Sequence, residues 1–168
     1  MITIAGVAPD IDGLEIIAEF LTRNSQQPLT WWSQYHHVLA HNLGFGLLLT
    51  AVCLLLSVRR WTTALLAFFS FHLHLFADLI GSRGPDGYQW PIPYLFPFSS
   101  SLQLTWQGQW ELNAWPNFVI TIIALAVTFK LAWQRGYSPL EIFSASANRV
   151  FVYSLRQRFP HPKGADNE

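Results

Sequence analysis

The sequence contains little cysteine and little charge. Among its 168 residues Cys53 is the one cysteine, which excludes an internal disulfide framework and a zinc site built from cysteines. Charged residues make up 12% and hydrophobic residues 51%, so the bulk of the chain is not intrinsically disordered. Ten Lys and Arg balance ten Asp and Glu, and this lack of net charge argues against a nucleic-acid-binding protein.

Three long apolar segments dominate the chain. Val38–Val58 has 21 residues without a formal charge, enough to cross about 30 Å of hydrocarbon as a helix. Trp61–Ile80 contains one charged residue, Asp78, and Trp115–Trp133 also contains one, Lys130. Tryptophans at the segment edges are typical of a membrane interface. We therefore predict an all-α, integral membrane helical bundle with about three transmembrane helices.

Two further features lie on the N-terminal side of the third segment. The pattern Asp12-Gly-Leu-Glu15 predicts a short helix that reaches about Thr22, with Asp12 as its cap and Glu15 completing a capping box. The loop Gly81–Ala114 carries four prolines and three tryptophans. Because flexible linkers are not this aromatic, we predict an ordered Trp/Pro-rich cap over the outer mouth of the bundle.

The C-terminal part of the chain differs from the rest in charge. Ser138–Phe159 begins with a helix-start pattern and mixes apolar residues with arginines, which predicts an amphipathic helix on the cytoplasmic leaflet. The tail His161–Glu168 is predicted to be disordered. We therefore expect a membrane-embedded domain of residues 1–135, followed by an amphipathic helix and flexible tail at 136–168.

The distribution of basic residues predicts the orientation. Eight Lys and Arg fall in the loop between the first two segments and in the C-terminal part, and two fall on the other side. The positive-inside rule makes the C-terminus cytoplasmic, so the N-terminal segment and the 81–114 loop face outward. We predict a bacterial inner-membrane protein without a cleavable signal peptide.

Residues that commonly bind metals occur in four groups along the chain. The groups are Asp10 and Asp12; His36, His37 and His41; His72, His74 and Asp78; and Glu111. On a helix, His74 and Asp78 share a face because they are four residues apart, and His72 points elsewhere. The predicted orientation brings the first three groups to one outer membrane level. An ionisable residue inside an apolar segment, as Asp78 is, usually has a partner.

These groups predict a site for one or two divalent metal ions. Mixed imidazole and carboxylate ligands favour zinc, manganese or iron(II), of which we favour zinc. The predicted ligands are Asp10, Asp12, His36, His41, His74 and Asp78. Each residue also has an ordinary structural role as its alternative, such as a helix cap for Asp12, a packed side chain for His72 and a solvated loop position for Glu111.

The same residues carry a resemblance to a known family. Pro-Asp-Ile-Asp-Gly at 9–13, HHVLAHN at 36–42 and HLFADLIGS at 74–82 are similar to that family's PDIDH, HRGxTHS and HLxxDxxT. Over residues 9 to about 135 the chain thus resembles the membrane-bound metal-dependent hydrolases, also described as LexA-binding, inner-membrane-associated hydrolases. In the matching motifs His37 stands where the family has Arg, and Gly13 where it has His. The resemblance implies a divalent-metal hydrolase, without naming a substrate.

We therefore predict a hydrolase that uses a metal-activated water on an ester or phosphoester, lipids included, with His37 or Glu111 moving the proton. The HxxxD element is also similar to zinc-dependent phospholipase C, which favours a phosphoester. Expected partners are membrane lipids and a small-molecule or lipid substrate, but no nucleic acid; the oligomeric state stays open. The alternatives are a haem protein, with His41 and His72 or His74 as axial ligands, and a non-enzymatic membrane scaffold.

Overall fold

The structure is a computed structural model that describes residues 1–84 and 87–160, except for the side chains of Ser33 and Gln34. It divides into two compact units, residues 1–114 and 115–168, and each is described by itself. The helices are α1 (Ile2–Val7), α2 (Glu15–Thr22), α3 (Trp31–Tyr35), α4 (Leu43–Leu56), α5 (Arg60–Gly81), α6 (Trp115–Arg135) and α7 (Ala145–Arg158). The predicted disorder of 161–168 lies outside the described residues.

The N-terminal helices differ from the prediction. α1 was not expected, and a 3-10 helix at Pro9–Leu14 precedes α2, which begins at Glu15. The predicted capping box is wrong, because neither helix start has a side-chain cap. The Asp12 carboxylate accepts a hydrogen bond from the backbone N–H of Ala40 instead, at 3.2 Å. Asp12 therefore bonds to a residue 28 positions away and does not cap its own helix.

α4 is shorter than the predicted helix at Val38–Val58. It has 14 residues, or about 21 Å at 1.5 Å per residue, against about 30 Å of hydrocarbon. The physical reason is Asn42, whose Oδ1 accepts from the N–H of Phe45 at 2.9 Å and caps the helix there. Asn42 Nδ2 also donates to the carbonyls of Val38 and Leu39, so residues 38–42 form a turn.

The other two apolar segments agree with the prediction. α5 has 22 residues and α6 has 21, and each is long and apolar enough to cross a membrane. Ala132 is the one buried residue of α6, a helix that the structure describes from end to end. An apolar helix of this length inside a soluble core would be mostly buried, so the exposed side chains of α6 favour contact with lipid.

The core of the first unit uses small residues where helices approach closely. Ala5 of α1, Cys53 of α4 and Ala64 of α5 are buried together. Farther along α5, Phe71 is fully buried beside Gly46 of α4. A Cβ atom at residue 46 would lie 2.7 Å from the Phe71 ring, so the glycine allows this close approach.

The loop after α5 is attached to the end of that helix. It contains the strands β1 (Ile92–Pro93) and β2 (Gln103–Leu104), which pair antiparallel. Tyr94 O–H lies 2.9 Å from His72 Nε2, while Gln109 Nε2 donates to the Asp78 carbonyl at 2.7 Å. These bonds satisfy a polar side chain and a terminal carbonyl of α5, and they hold the loop in place.

The second unit contains the expected C-terminal helical segment in two pieces. A 3-10 helix at Pro139–Ile142 follows α6, and α7 starts after it. The break falls at Ser144, whose Oγ accepts from the N–H of Ala147 at 3.2 Å and caps α7. Asn148 Oδ1 accepts from both the N–H and the Oγ–H of Ser138, which ties the two pieces together.

Replacement of Gly46 by alanine tests the close approach of α4 and α5. The new methyl group would meet the Phe71 ring, so we expect Gly46→Ala to destabilise the fold by about 1–3 kcal/mol. Thermal unfolding in detergent measures this loss. In the double variant Gly46→Ala/Phe71→Leu, the loss of stability should be smaller than the sum of the losses in the two single variants. Strictly additive losses would contradict a direct clash.

Candidate metal centre

Three separate segments of the first unit bring the predicted ligands together. Asp10 and Asp12 come from the 3-10 helix after α1, and His41 comes from the turn before α4. His74 and Asp78 lie on the last turns of α5, where their spacing of four residues leaves His74 Nε2 3.1 Å from Asp78 Oδ2. The predicted shared helix face of these two residues is confirmed.

His41 lies at the middle of this arrangement and is fully buried. Its Nδ1 is 3.0 Å from Asp12 Oδ2, and its Nε2 is 3.2 Å from Asp78 Oδ2. Because an ionised carboxylate only accepts hydrogen bonds, Nδ1 carries a hydrogen and donates it to Asp12. In a neutral ring Nε2 then presents a lone pair on the side of Asp78. A carboxylate that fixes the tautomer of a ligating histidine is a recurrent feature of metal sites.

Several buried atoms on the Nε2 side of His41 lie close together without forming hydrogen bonds. Nε2 of His41, Nε2 of His74 and Oδ2 of Asp78 have no partner of suitable hydrogen-bond geometry in the described structure. Asp10 Oδ1 lies 3.4 Å from His74 Nε2. Asp10, His41 and His74 each offer one ligand atom, and these three atoms lie within 4.8 Å of one another. Unpaired acceptors that converge in this way fit a shared cation.

His37 lies close to the cluster, although it was not among the predicted metal ligands. Because residues 36–42 form turns and bends, His37 and His41 do not share a helix face. His37 nevertheless offers a ligand atom within 4.8 Å of those of His41 and Asp78. His37 also has a positive φ of 63°, a strained conformation for a residue with a Cβ.

His36 lies farther from this group. Its Nδ1 is 3.5 Å from Asp12 Oδ1, and its ring stacks on Trp32 with centroids 3.8 Å apart, while the edge of Trp90 contacts it. The structure thus brings His36 and Asp12 to the opposite side of His41 from Asp78. Both were predicted to bind metal directly; Nδ1 of His36 and Oδ1 of Asp12 also have no hydrogen-bond partner among the described residues, and their role as ligands stays a prediction.

Burial and hydrogen bonding shift the pKa values in opposite directions. Burial would raise the pKa of Asp12, but hydrogen bonds from His41 and the Ala40 N–H, together with the nearby His36 ring, hold it well below its usual range. Burial lowers the pKa of His37 to about 3, so its ring is neutral near pH 7. For His41, burial acts downward, yet the two neighbouring carboxylates raise its pKa to about 9. Without a cation, a proton on His41 would link Asp12 to Asp78.

Glu111 has a different environment from the histidines. Its carboxylate lies 3.8 Å from Arg83 Nη2, and the two residues also form a backbone bridge. The next residue, Leu112, lines the cavity beside the cluster. Its predicted role in proton transfer stays a prediction.

Sequence reasoning did not identify Glu15 as a member of the site. Its Oε2 is buried without a hydrogen-bond partner among the described residues, and burial, helped by the charge of Asp12, raises its pKa. The separation of three residues between Asp12 and Glu15 on a helical segment was the available signal, but it was interpreted as a cap.

A cavity of about 560 Å³ opens beside the cluster. Asp10, His37 and Asp78 supply polar atoms to its wall, whereas Leu14 and Trp90 are among its apolar lining. This volume is in the range of small-molecule sites, which combine apolar walls with a few converging polar groups. The cluster is therefore accessible to a ligand larger than water.

Comparison with known proteins identifies a family that the chain matches. The family model described as YdjM inner membrane protein matches residues 1–158, nearly the whole chain. No curated protein and no solved structure matches the chain. The match agrees with the membrane character of α5 and α6.

Replacement of Asp12 by asparagine tests its support of His41. Asparagine removes the charge that fixes the Nδ1 hydrogen, so we expect Asp12→Asn to weaken zinc binding by about 10- to 100-fold. Zinc titration of the metal-stripped protein in detergent measures the change. Glu141→Gln removes an exposed carboxylate from the second unit and should leave affinity unaltered. Equal affinity in Asp12→Asn and the natural protein would contradict the role.

Proposed function

The chain belongs to the YdjM inner membrane protein family, and we propose that it is a metal-dependent hydrolase of the membrane that acts on an ester or phosphoester. The observation that carries this proposal is the convergence of unpaired, buried ligand atoms from His41, His74 and Asp78, beside which lies the exposed carboxylate of Asp10. Structural ion pairs normally satisfy their hydrogen bonds, whereas Nε2 of His41 and Nε2 of His74 each lie 3.1–3.2 Å from Asp78 Oδ2 without forming any.

The donor set fits a divalent cation of the zinc, manganese or iron(II) type, with zinc favoured. Two imidazoles and two carboxylates resemble the mixed ligand sets of such metals more than the all-oxygen sets of magnesium or calcium. His41, His74, Asp78 and Asp10 would hold the ion, and His37 is close enough to add a fifth ligand or to bind a second ion. When bound, the cation supplies Lewis acidity and lowers the pKa of water towards neutrality.

Three side chains around the proposed metal site would orient a ligand, bind a cation or move a proton. Asp12 keeps the hydrogen of His41 on Nδ1, so that Nε2 stays a lone-pair donor. A base with a pKa of about 3 takes up protons poorly near pH 7, so His37 is better suited to bind a cation than to carry a proton. The carboxylate of Asp10 is 63% exposed and provides a path for the proton to bulk water.

The surroundings of the cavity favour a lipid or another amphiphile as substrate. Leu14 and Ile16 line the cavity beside polar cluster atoms, and both are largely exposed. Phe20 and Leu21 continue this exposed apolar surface along α2. A headgroup ester can thus approach the cluster while its chain stays on apolar surface. We place the cluster at the outer face of the membrane and the C-terminus in the cytoplasm, on the distribution of basic residues.

The haem alternative has less support from the contacts. Both ring nitrogens of His72 have partners, Phe68 O at 2.8 Å and Tyr94 Oη at 2.9 Å. A haem would also leave the carboxylates around His41 without a role. The scaffold alternative corresponds to a permanently protonated His41 between Asp12 and Asp78.

Metal analysis of the detergent-purified protein separates these functions. We expect bound zinc, manganese or iron in the natural protein and its loss in His74→Ala and Asp78→Asn, because each removes a ligand. His72→Gln is the matched control on the same helix and should keep its metal. A Soret band would establish haem instead, and metal-free protein that cannot be loaded with zinc would contradict a metal centre.

Hydrolysis of chromogenic phosphoesters and esters by the zinc-loaded protein tests the reaction. We expect turnover that falls by at least about 100-fold in Asp78→Asn, a larger loss than is typical when a supporting residue is removed. Chelation should abolish the activity and zinc should restore it. A zinc-loaded protein without activity on water-soluble and lipid esters alike would contradict hydrolysis but leave the metal centre intact.

A further inference from the structure

A second candidate site lies in the C-terminal unit, apart from the metal cluster. A groove of about 320 Å³ follows one face of α7. Its lining residues are Gly136, Arg149, Val152, Tyr153, Arg156 and Gln157. The α7 residues are spaced by three, four and seven, which places them on one side of the helix. Two guanidinium groups thus share one groove, whose described lining includes no carboxylate.

Arg156 is fixed in place before any ligand arrives. Its Nε donates to the Trp133 carbonyl at 2.9 Å, and its Nη2 lies 3.3 Å from the Gln134 carbonyl. Gly136, with a positive φ of 78°, turns the chain at the end of α6, and a Cβ there would lie 3.3 Å from Arg156 Nη2. An arginine held in this way loses little side-chain entropy when it binds an anion.

The position of the groove places it at the level of lipid headgroups. α6, the apolar helix of this unit, ends at Arg135, one residue before Gly136. The rings of Phe129 and Phe151 are 5.5 Å apart, so α7 packs beside the last turns of α6. Phe143, just before α7, is 87% exposed and available to enter the interface.

The positive charge of the C-terminal segment favours binding of an anionic lipid. Residues 130–160 contain five Lys and Arg and one Glu. We propose that the groove between Arg149 and Arg156 binds the phosphate headgroup of an anionic phospholipid in the leaflet where α6 ends. The fixed Arg156 fork and the exposed Arg149 hold the phosphate oxygens, and Tyr153 offers a hydroxyl between them. This site is independent of the metal cluster and of hydrolysis.

Binding of defined lipids to the full-length protein tests the proposal. Native mass spectrometry in detergent measures affinity for short-chain phosphatidylglycerol and phosphatidylcholine. We expect a preference for phosphatidylglycerol that falls by about fivefold in Arg149→Gln. Arg158→Gln is the control, because it removes the same charge. A separation of nine residues on a helix places Arg158 on the opposite face from Arg149. Arg158→Gln should change the affinity by less than about twofold.

Arg149 is exposed and, among the residues that the structure describes, makes no backbone contact comparable with those of Arg156, so Arg149→Gln should keep the natural melting temperature. Equal loss of affinity in both variants would overturn the groove as a site, since it would indicate a diffuse attraction. Phosphatidylcholine binding as tightly as phosphatidylglycerol would overturn the anionic assignment. Displacement of the lipid by low-millimolar inorganic phosphate would show a site for free phosphate and overturn the lipid assignment.

Discussion

The hydrogen bond between His41 Nδ1 and Asp12 Oδ2 joins two segments that are 29 residues apart, and the surrounding structure depends on it. A buried carboxylate is costly unless donors surround it. Asp12 receives its donors from His41 and from the Ala40 N–H. Residues 36–42, which contain both donors, form turns and bends rather than an extension of α4. The cap that Asn42 provides for α4 fits this arrangement, because it starts the helix at Leu43, after the residues that bond to Asp12.

The same interaction determines the chemistry of the opposite side of the imidazole. With Nδ1 committed to Asp12, Nε2 of His41 faces Asp78 and His74 near the end of α5. Asp12 lies on one side of the His41 ring and Asp78 on the other, with Asp10 beside His74, next to helices that expose many apolar side chains. Unbalanced negative charge is unfavourable there, so protons or a metal ion must compensate it. A protonated His41 and a bound cation are the two solutions that the geometry permits, and they compete for the same nitrogen.

The loop after α5 contributes by fixing the end of that helix, which carries His74 and Asp78. Gln109 binds the Asp78 carbonyl and also Ser82 Oγ, while Trp110 N–H donates to the Ile80 carbonyl. His72, two residues from His74, is held by Tyr94 from the same loop. These contacts restrict the last turn of α5, which is where a helix would otherwise fray. The cluster is therefore supported by side chains that are not themselves part of it.

The sequence determined the features that depend on local pattern: the helical class, the apolar helices α5 and α6, and the pairing of His74 with Asp78 four residues later. Each follows from chain length, hydrophobicity or helical periodicity over neighbouring residues. Only the tertiary structure decided that Asp12 supports His41 and does not cap a helix, that α4 begins after Asn42, and that His37 lies nearer the ligand atoms than His36. Those outcomes depend on contacts between distant segments. The free energy of burying Asp12 is set by donors from another part of the chain, and no local pattern around residue 12 records them.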